Sequence, residues 1–174
     1  MKPIILIGFM GVGKTSLGKK LAKELGWEFV DTDKWIEKKV NLKIIEIFKA
    51  HGEDYFREVE SSCLNELINL RNTVISVGGG LPCFGENMSM LNSFGCTIYL
   101  KLEVKEIVKR IGQSKISRPL LDNLDSVEME TFILKTLYER ERFYSMAKYT
   151  IRPDIYFIDN SLLKYFEFKS QFSK

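Results

Sequence analysis

The chain has 174 residues, room for one domain with a substantial core and too few for two of ordinary size. Apolar residues make up 45% and charged residues 28%, which excludes a disordered or fibrous chain. The net charge of +3 is too weak to argue for nucleic acid or an anionic membrane, though it suits small acidic molecules.

Residues 4–8 begin with the apolar run Ile4-Ile5-Leu6-Ile7 and are predicted as a buried strand. The run leads straight into Gly8-Phe9-Met10-Gly11-Val12-Gly13-Lys14-Thr15, the phosphate-binding pattern G-x-x-x-x-G-K-[ST]. Glycines let backbone N–H groups curl around phosphate oxygens with no Cβ in the way, and the helix opening near Lys14 aims its positive end at the same anion. Lys14 can reach the terminal phosphates as a point charge, and the Thr15 hydroxyl can hold Mg2+. Gly11, Val12, Gly13, Lys14, Thr15 and Ser16 are therefore the candidate nucleotide-binding residues.

A helix is predicted over 14–25, with Leu17, Leu21, Ala22 and Leu25 at helical spacing and a stop at Gly26. A short strand over 27–30 ends in Asp31-Thr32-Asp33. An extended segment there would send the two carboxylates to opposite sides, Asp31 toward a metal through water and Asp33 toward an acceptor hydroxyl. Capping of a turn is the alternative for both. Residues 34–48 read as helical pieces with Trp35, Ile36, Val40, Ile44, Ile45 and Phe48 inward. His51-Gly52 marks a helix end, and a further helix covers 53–70. In it Arg57 is either a solvated charge or a partner of Glu53, Glu58 or Glu60.

Residues 72–77 are β-branched and apolar, a good central strand, and stop abruptly at Gly78-Gly79-Gly80, where the backbone is free to approach a ligand. A helix over 86–94, a strand over 97–102 and a helix over 104–111 follow. Residues 112–124 are polar and carry Arg118 beside Pro119, a loop able to close over phosphates. A long helix over 126–146, capped by Ser126, holds Arg140 and Arg142, and a last strand over 149–158 precedes a C-terminal helix from 161. Alternating strands and helices predict an α/β fold built on a parallel five-stranded sheet flanked by helices. In such a sheet ligands gather beyond the carboxyl ends of the strands, so these features fall on one edge. Two guanidinium groups brought together there would clamp a carboxylate.

Cys63, Cys83 and Cys96 stand far apart, as reduced thiols of a cytoplasmic protein do, and serve as small apolar groups. The N-terminus does not read as a signal peptide, and no apolar stretch approaches the ~20 residues of a membrane span. A monomer with a small-molecule substrate, and with neither nucleic acid nor membrane as partner, is expected.

Six segments together resemble the shikimate kinase family over nearly the whole chain. They are Gly8 to Thr15, Asp31-Thr32-Asp33, Gly52 to Glu60, Ser76 to Gly80, Arg118-Pro119-Leu120-Leu121, and Arg140 with Tyr144 four residues on. The resemblance implies a P-loop, nucleoside-monophosphate-kinase-like fold, one kinase domain over 1–174 with a substrate-binding region near 33–60 and a lid near 112–124. It implies ATP-dependent phosphorylation of the 3-hydroxyl of shikimate, on the route to chorismate and the aromatic amino acids, with Mg2+. By position, Asp33 would bind the shikimate hydroxyls and serve as base, Arg57 and Arg140 would hold the carboxylate, and Gly79 and Gly80 would bound the ring. Lys14, Thr15 with Mg2+, and Arg118 would serve the phosphates, and Arg110 would lie along the adenine. Arg142 is an alternative to Arg140. A kinase of another small hydroxylated acid such as gluconate, and a nucleotide-dependent switch, are the rival readings.

Overall fold

The computed structural model describes residues 1–113, 121 and 124–153. Arg118, most of the predicted lid, the end of the last predicted strand and the predicted C-terminal helix lie outside the described residues. Strands β1 (Ile4–Ile7), β2 (Glu28–Asp31), β3 (Thr73–Ser76), β4 (Cys96–Leu100) and β5 (Tyr149–Ile151) form one parallel sheet in the order β2-β3-β1-β4-β5. Ile4 pairs with Val74 on one side and Cys96 on the other, so β1 is central. Parallel pairing puts every strand's carboxyl end on one edge, and the loops that leave β1, β2 and β3 meet there.

Side chains alternate across the sheet. Ile4 and Leu6, with Val74, Ile98 and Leu100, pack on α1 (Lys14–Leu25), α5 (Val104–Gly112) and α6 (Ser126–Tyr144) through Leu17, Leu21, Ile107 and Ile133. Ile5 and Ile7, with Ile75 and Tyr99, face the other way onto α3 (Ile44–Leu67), α4 (Asn87–Phe94) and Tyr144. Burial on both faces explains why these strands read as unbroken apolar runs. A third, smaller cluster joins Ile36 of α2 (Thr32–Val40) to Ile47, Phe56 and Cys63 of α3.

Gly26 ends α1 as expected: its left-handed conformation (φ 66°) lets its N–H reach back to Ala22 and Lys23 carbonyls. The break expected at His51-Gly52 is a kink inside α3, where Gly52 takes φ 80°. Two expectations change. Ile45 and Phe48 are exposed rather than inward, and Ile47 is buried in their place. The cause is Asn41, whose left-handed conformation ends α2 and resets the helical phase before Ile44. The cap of α6 is Asp125, one residue before Ser126. Its carboxylate accepts from the Val127 and Glu128 N–H groups at 2.8 and 2.9 Å, and Glu128 accepts from the Asp125 N–H in return. None of the three cysteines forms a disulfide; Cys63 is buried, and burial pushes its thiol up to about 12. Among the described residues no helix is long and apolar enough to cross a membrane.

Candidate active site

The loop after β1 is held open by three glycines at positive φ, Gly8 (136°), Gly11 (83°) and Gly13 (96°). Phe9 and Val12 are buried and anchor it from below. Gly13 is the N-cap of α1 and offers no side chain, so the first N–H groups of that helix have no side-chain cap. Lys14 folds back over the loop, its Nζ donating to the Gly8 and Phe9 carbonyls at 2.7 and 2.9 Å. Ser16 follows on the exposed side of the first turn. Arg110 reaches the same loop from α5, donating through Nη1 to the Val12 carbonyl at 3.3 Å and through Nε to Glu106 at 2.9 Å.

Asp31 closes β2 and caps α2, so Asp31-Thr32-Asp33 is not the extended segment expected from sequence. The helix begins at Thr32, and Asp33 lies in its first turn. The two carboxylates nonetheless have different neighbours. One Asp31 oxygen accepts from the Thr15 hydroxyl at 2.9 Å and the other from the Lys34 N–H at 3.4 Å, which turns Asp31 toward the phosphate loop. Thr15 and Asp31 suit Mg2+, which takes one or two carboxylates, keeps several waters and completes its shell with phosphate oxygens. Thr32, wholly buried, accepts the Gly78 N–H at 3.0 Å and ties the start of α2 to the end of β3.

The three glycines after β3 are where the other side chains meet. A Cβ on Gly78 would stand 2.7 Å from Asp33 Oδ1 and 2.9 Å from Glu60 Oε1. On Gly79 it would stand 3.3 Å from the Gly8 carbonyl and 3.4 Å from Arg140 Nη1. On Gly80 it would stand 2.7 Å from Arg57 Nη1. A side chain at any of the three would crowd these groups, so Asp33, Arg57 and Arg140 are gathered on one surface beside the phosphate loop. Arg142 is not part of it: its guanidinium is exposed and lies over the Phe143 ring, 4.7 Å from the centroid.

Arg57 donates to Glu60 Oε2 at 2.6 Å through Nη1 and to Glu53 Oε1 at 2.9 Å through Nη2. Burial works against its charge, but Glu60 and Glu53 outweigh it and raise its pKa above the ordinary value. The pair is lopsided. Glu60 is enclosed (1% exposed), so burial, helped by Asp33, prevails over Arg57's attraction and lifts its carboxyl to about 7. Asp33 is raised as well, by burial first and then by Asp31, with Lys14 opposing. A buried carboxyl of raised pKa beside fixed cations is the setting in which acid–base roles arise.

Glu60, Thr32 and Tyr144 belong to this surface without having been chosen from sequence as site residues. For Glu60 a signal existed: with Phe56, Cys63, Leu64 and Leu67 it sits on the inward face of α3, where an acidic residue is out of place unless paired.

Residues 10–157 match the family model for shikimate kinase. The shikimate kinase of Parabacteroides distasonis is 40% identical over 171 residues, 94% of this chain and 99% of the relative. A crystal structure of shikimate kinase from Bacteroides thetaiotaomicron superposes with a TM-score of 0.84 at 38% identity, covering 87% of this chain and 86% of that one. The Acinetobacter baumannii shikimate kinase in complex with shikimate gives 0.79 at 37% identity, covering 87% and 83%. Likeness of this degree, in sequence and in backbone and across almost the full length of the relatives, makes the chain a member of the shikimate kinase family.

Proposed function

We propose that the protein transfers the terminal phosphoryl group of ATP to the 3-hydroxyl of shikimate, giving shikimate 3-phosphate and ADP for aromatic amino acid biosynthesis. The observation that carries this reading is the gathering of Asp33, Arg57 and Arg140 around Gly78–Gly80, next to the phosphate loop. A small carboxylated polyol needs cationic forks for its acid and a carboxylate acceptor for its hydroxyls, and that surface offers both.

In the proposed complex the backbone N–H groups from Gly11 to Ser16 and the Lys14 ammonium bind the phosphates, and Arg110 lies beside the nucleotide. Thr15 and Asp31 would hold Mg2+, which neutralises phosphate charge when bound. Arg57 and Arg140 grip the acid, Gly79 and Gly80 border the ring, and Asp33 accepts the hydrogen bond of the 3-hydroxyl. The hydroxyl oxygen bonds to the terminal phosphorus, the bridge to the ADP oxygen breaks, and Asp33 takes the hydroxyl proton. Arg118, carried over from the family resemblance, adds positive charge at the moving phosphoryl. Catalysis is then mainly positioning and charge stabilisation. The protein would act in the cytoplasm on a small molecule.

Arg57→Ala tests the acid clamp. It should raise KM for shikimate tenfold to a hundredfold, the worth of about 1.5–3 kcal/mol for a charged hydrogen bond, while KM for ATP barely moves. Unchanged shikimate affinity would tell against the clamp.

A further inference from the structure

Tyr144, the last residue of α6, is wholly buried, and its hydroxyl donates to the Gly79 carbonyl at 2.6 Å. Arg140, one turn earlier, comes to the same glycine: a Cβ on Gly79 would stand 3.4 Å from its Nη1 and 3.6 Å from the Tyr144 hydroxyl. The ring has little freedom: it is wholly buried and lies against Tyr99 with centroids 5.1 Å apart. In a trans peptide the carbonyl and the following N–H point to opposite sides, so holding the Gly79 carbonyl on Tyr144 turns the Gly80 N–H away from α6.

We propose that Tyr144 is a positioning residue for the acceptor acid, its hydroxyl fixing the orientation of the Gly79–Gly80 peptide beside the Arg140 guanidinium. This rests on the functional reading above, because it supposes that the acid lies against Arg140 and that peptide. The tyrosine touches no substrate. Its effect is to hold the half-buried Gly79 carbonyl, so that the peptide meets the ligand in one orientation instead of finding it on binding.

Tyr144→Phe removes the hydroxyl and keeps the ring with its packing on Tyr99. Steady-state kinetics should show KM for shikimate about fivefold higher, as for one lost neutral hydrogen bond, with kcat and KM for ATP within about twofold. Tyr99→Phe is the control. It loses a partly buried hydrogen bond of similar kind, to Glu141, and should leave KM for shikimate within about twofold. A KM for shikimate unmoved by Tyr144→Phe, or equal shifts in both KM values, overturns the proposal. Wild-type protein assayed alongside separates the failures. Wild-type ADP release indifferent to shikimate removes the functional reading and this proposal with it, whereas normal wild-type turnover with an unaffected Tyr144→Phe removes the positioning role alone.

Discussion

Glu60 faces Arg57, Asp33 and Arg140 from inside the protein, with almost no surface of its own in water. Its carboxyl is lifted from an ordinary 4.5 to about 7, so between those values the folded chain binds a proton that the unfolded chain has released. Stability therefore falls as pH rises through that interval and levels off above it, and the raised Asp33 acts in the same direction. Glu60→Gln keeps an acceptor for Arg57 and abolishes the titration. Its melting temperature, followed from about pH 5 to about pH 8, should decline less steeply than that of the wild type. Parallel curves would mean that Glu60 ionises in the folded protein as it does in the unfolded one. At this scale the sequence was partly legible. Arg57 had Glu60 among its possible partners by spacing, but that one of them would be sealed in depends on the glycines after β3, far away in the chain.

At the scale of elements, the glycine run after β3 and the glycine before β4 do different work, and alanine separates them. Gly80→Ala puts a methyl against the tip of a flexible Arg57, which can move aside; stability should hardly change while KM for shikimate rises. Gly95→Ala puts a methyl into the Cδ1 of Ile5, which is wholly buried, and 3.2 Å from the Pro3 carbonyl. It should lower stability by about 1–3 kcal/mol, as overpacking does, and leave KM alone. Thermal melts and kinetics on the two variants check both halves; a stability loss in Gly80→Ala without a KM change would place that glycine in the frame rather than the site. Element order and strand identity were readable because β1, β3 and β4 are apolar on both faces and α1 is closed by Gly26. The phase of α3 and the onset of α2 were not. The first depends on a left-handed Asn41, and the second on Asp31 finding the Lys34 N–H, both local choices that apolar periodicity does not reveal.

Across the whole molecule, the order β2-β3-β1-β4-β5 is what makes one site from distant segments. With β1 beside β3, the Gly8 carbonyl of the phosphate loop comes within 3.3 Å of where a Gly79 side chain would start, so a nucleotide and an acceptor would share one wall. The fold alone would serve many phosphoryl transfers; on the proposed function the choice of acceptor would lie in Asp33, Arg57 and Arg140. ADP release from Mg-ATP, measured with and without shikimate, tests this most directly. Release that requires shikimate, with one shikimate 3-phosphate formed per ADP, is the predicted result; the same release without shikimate, or shikimate recovered unaltered, would contradict it.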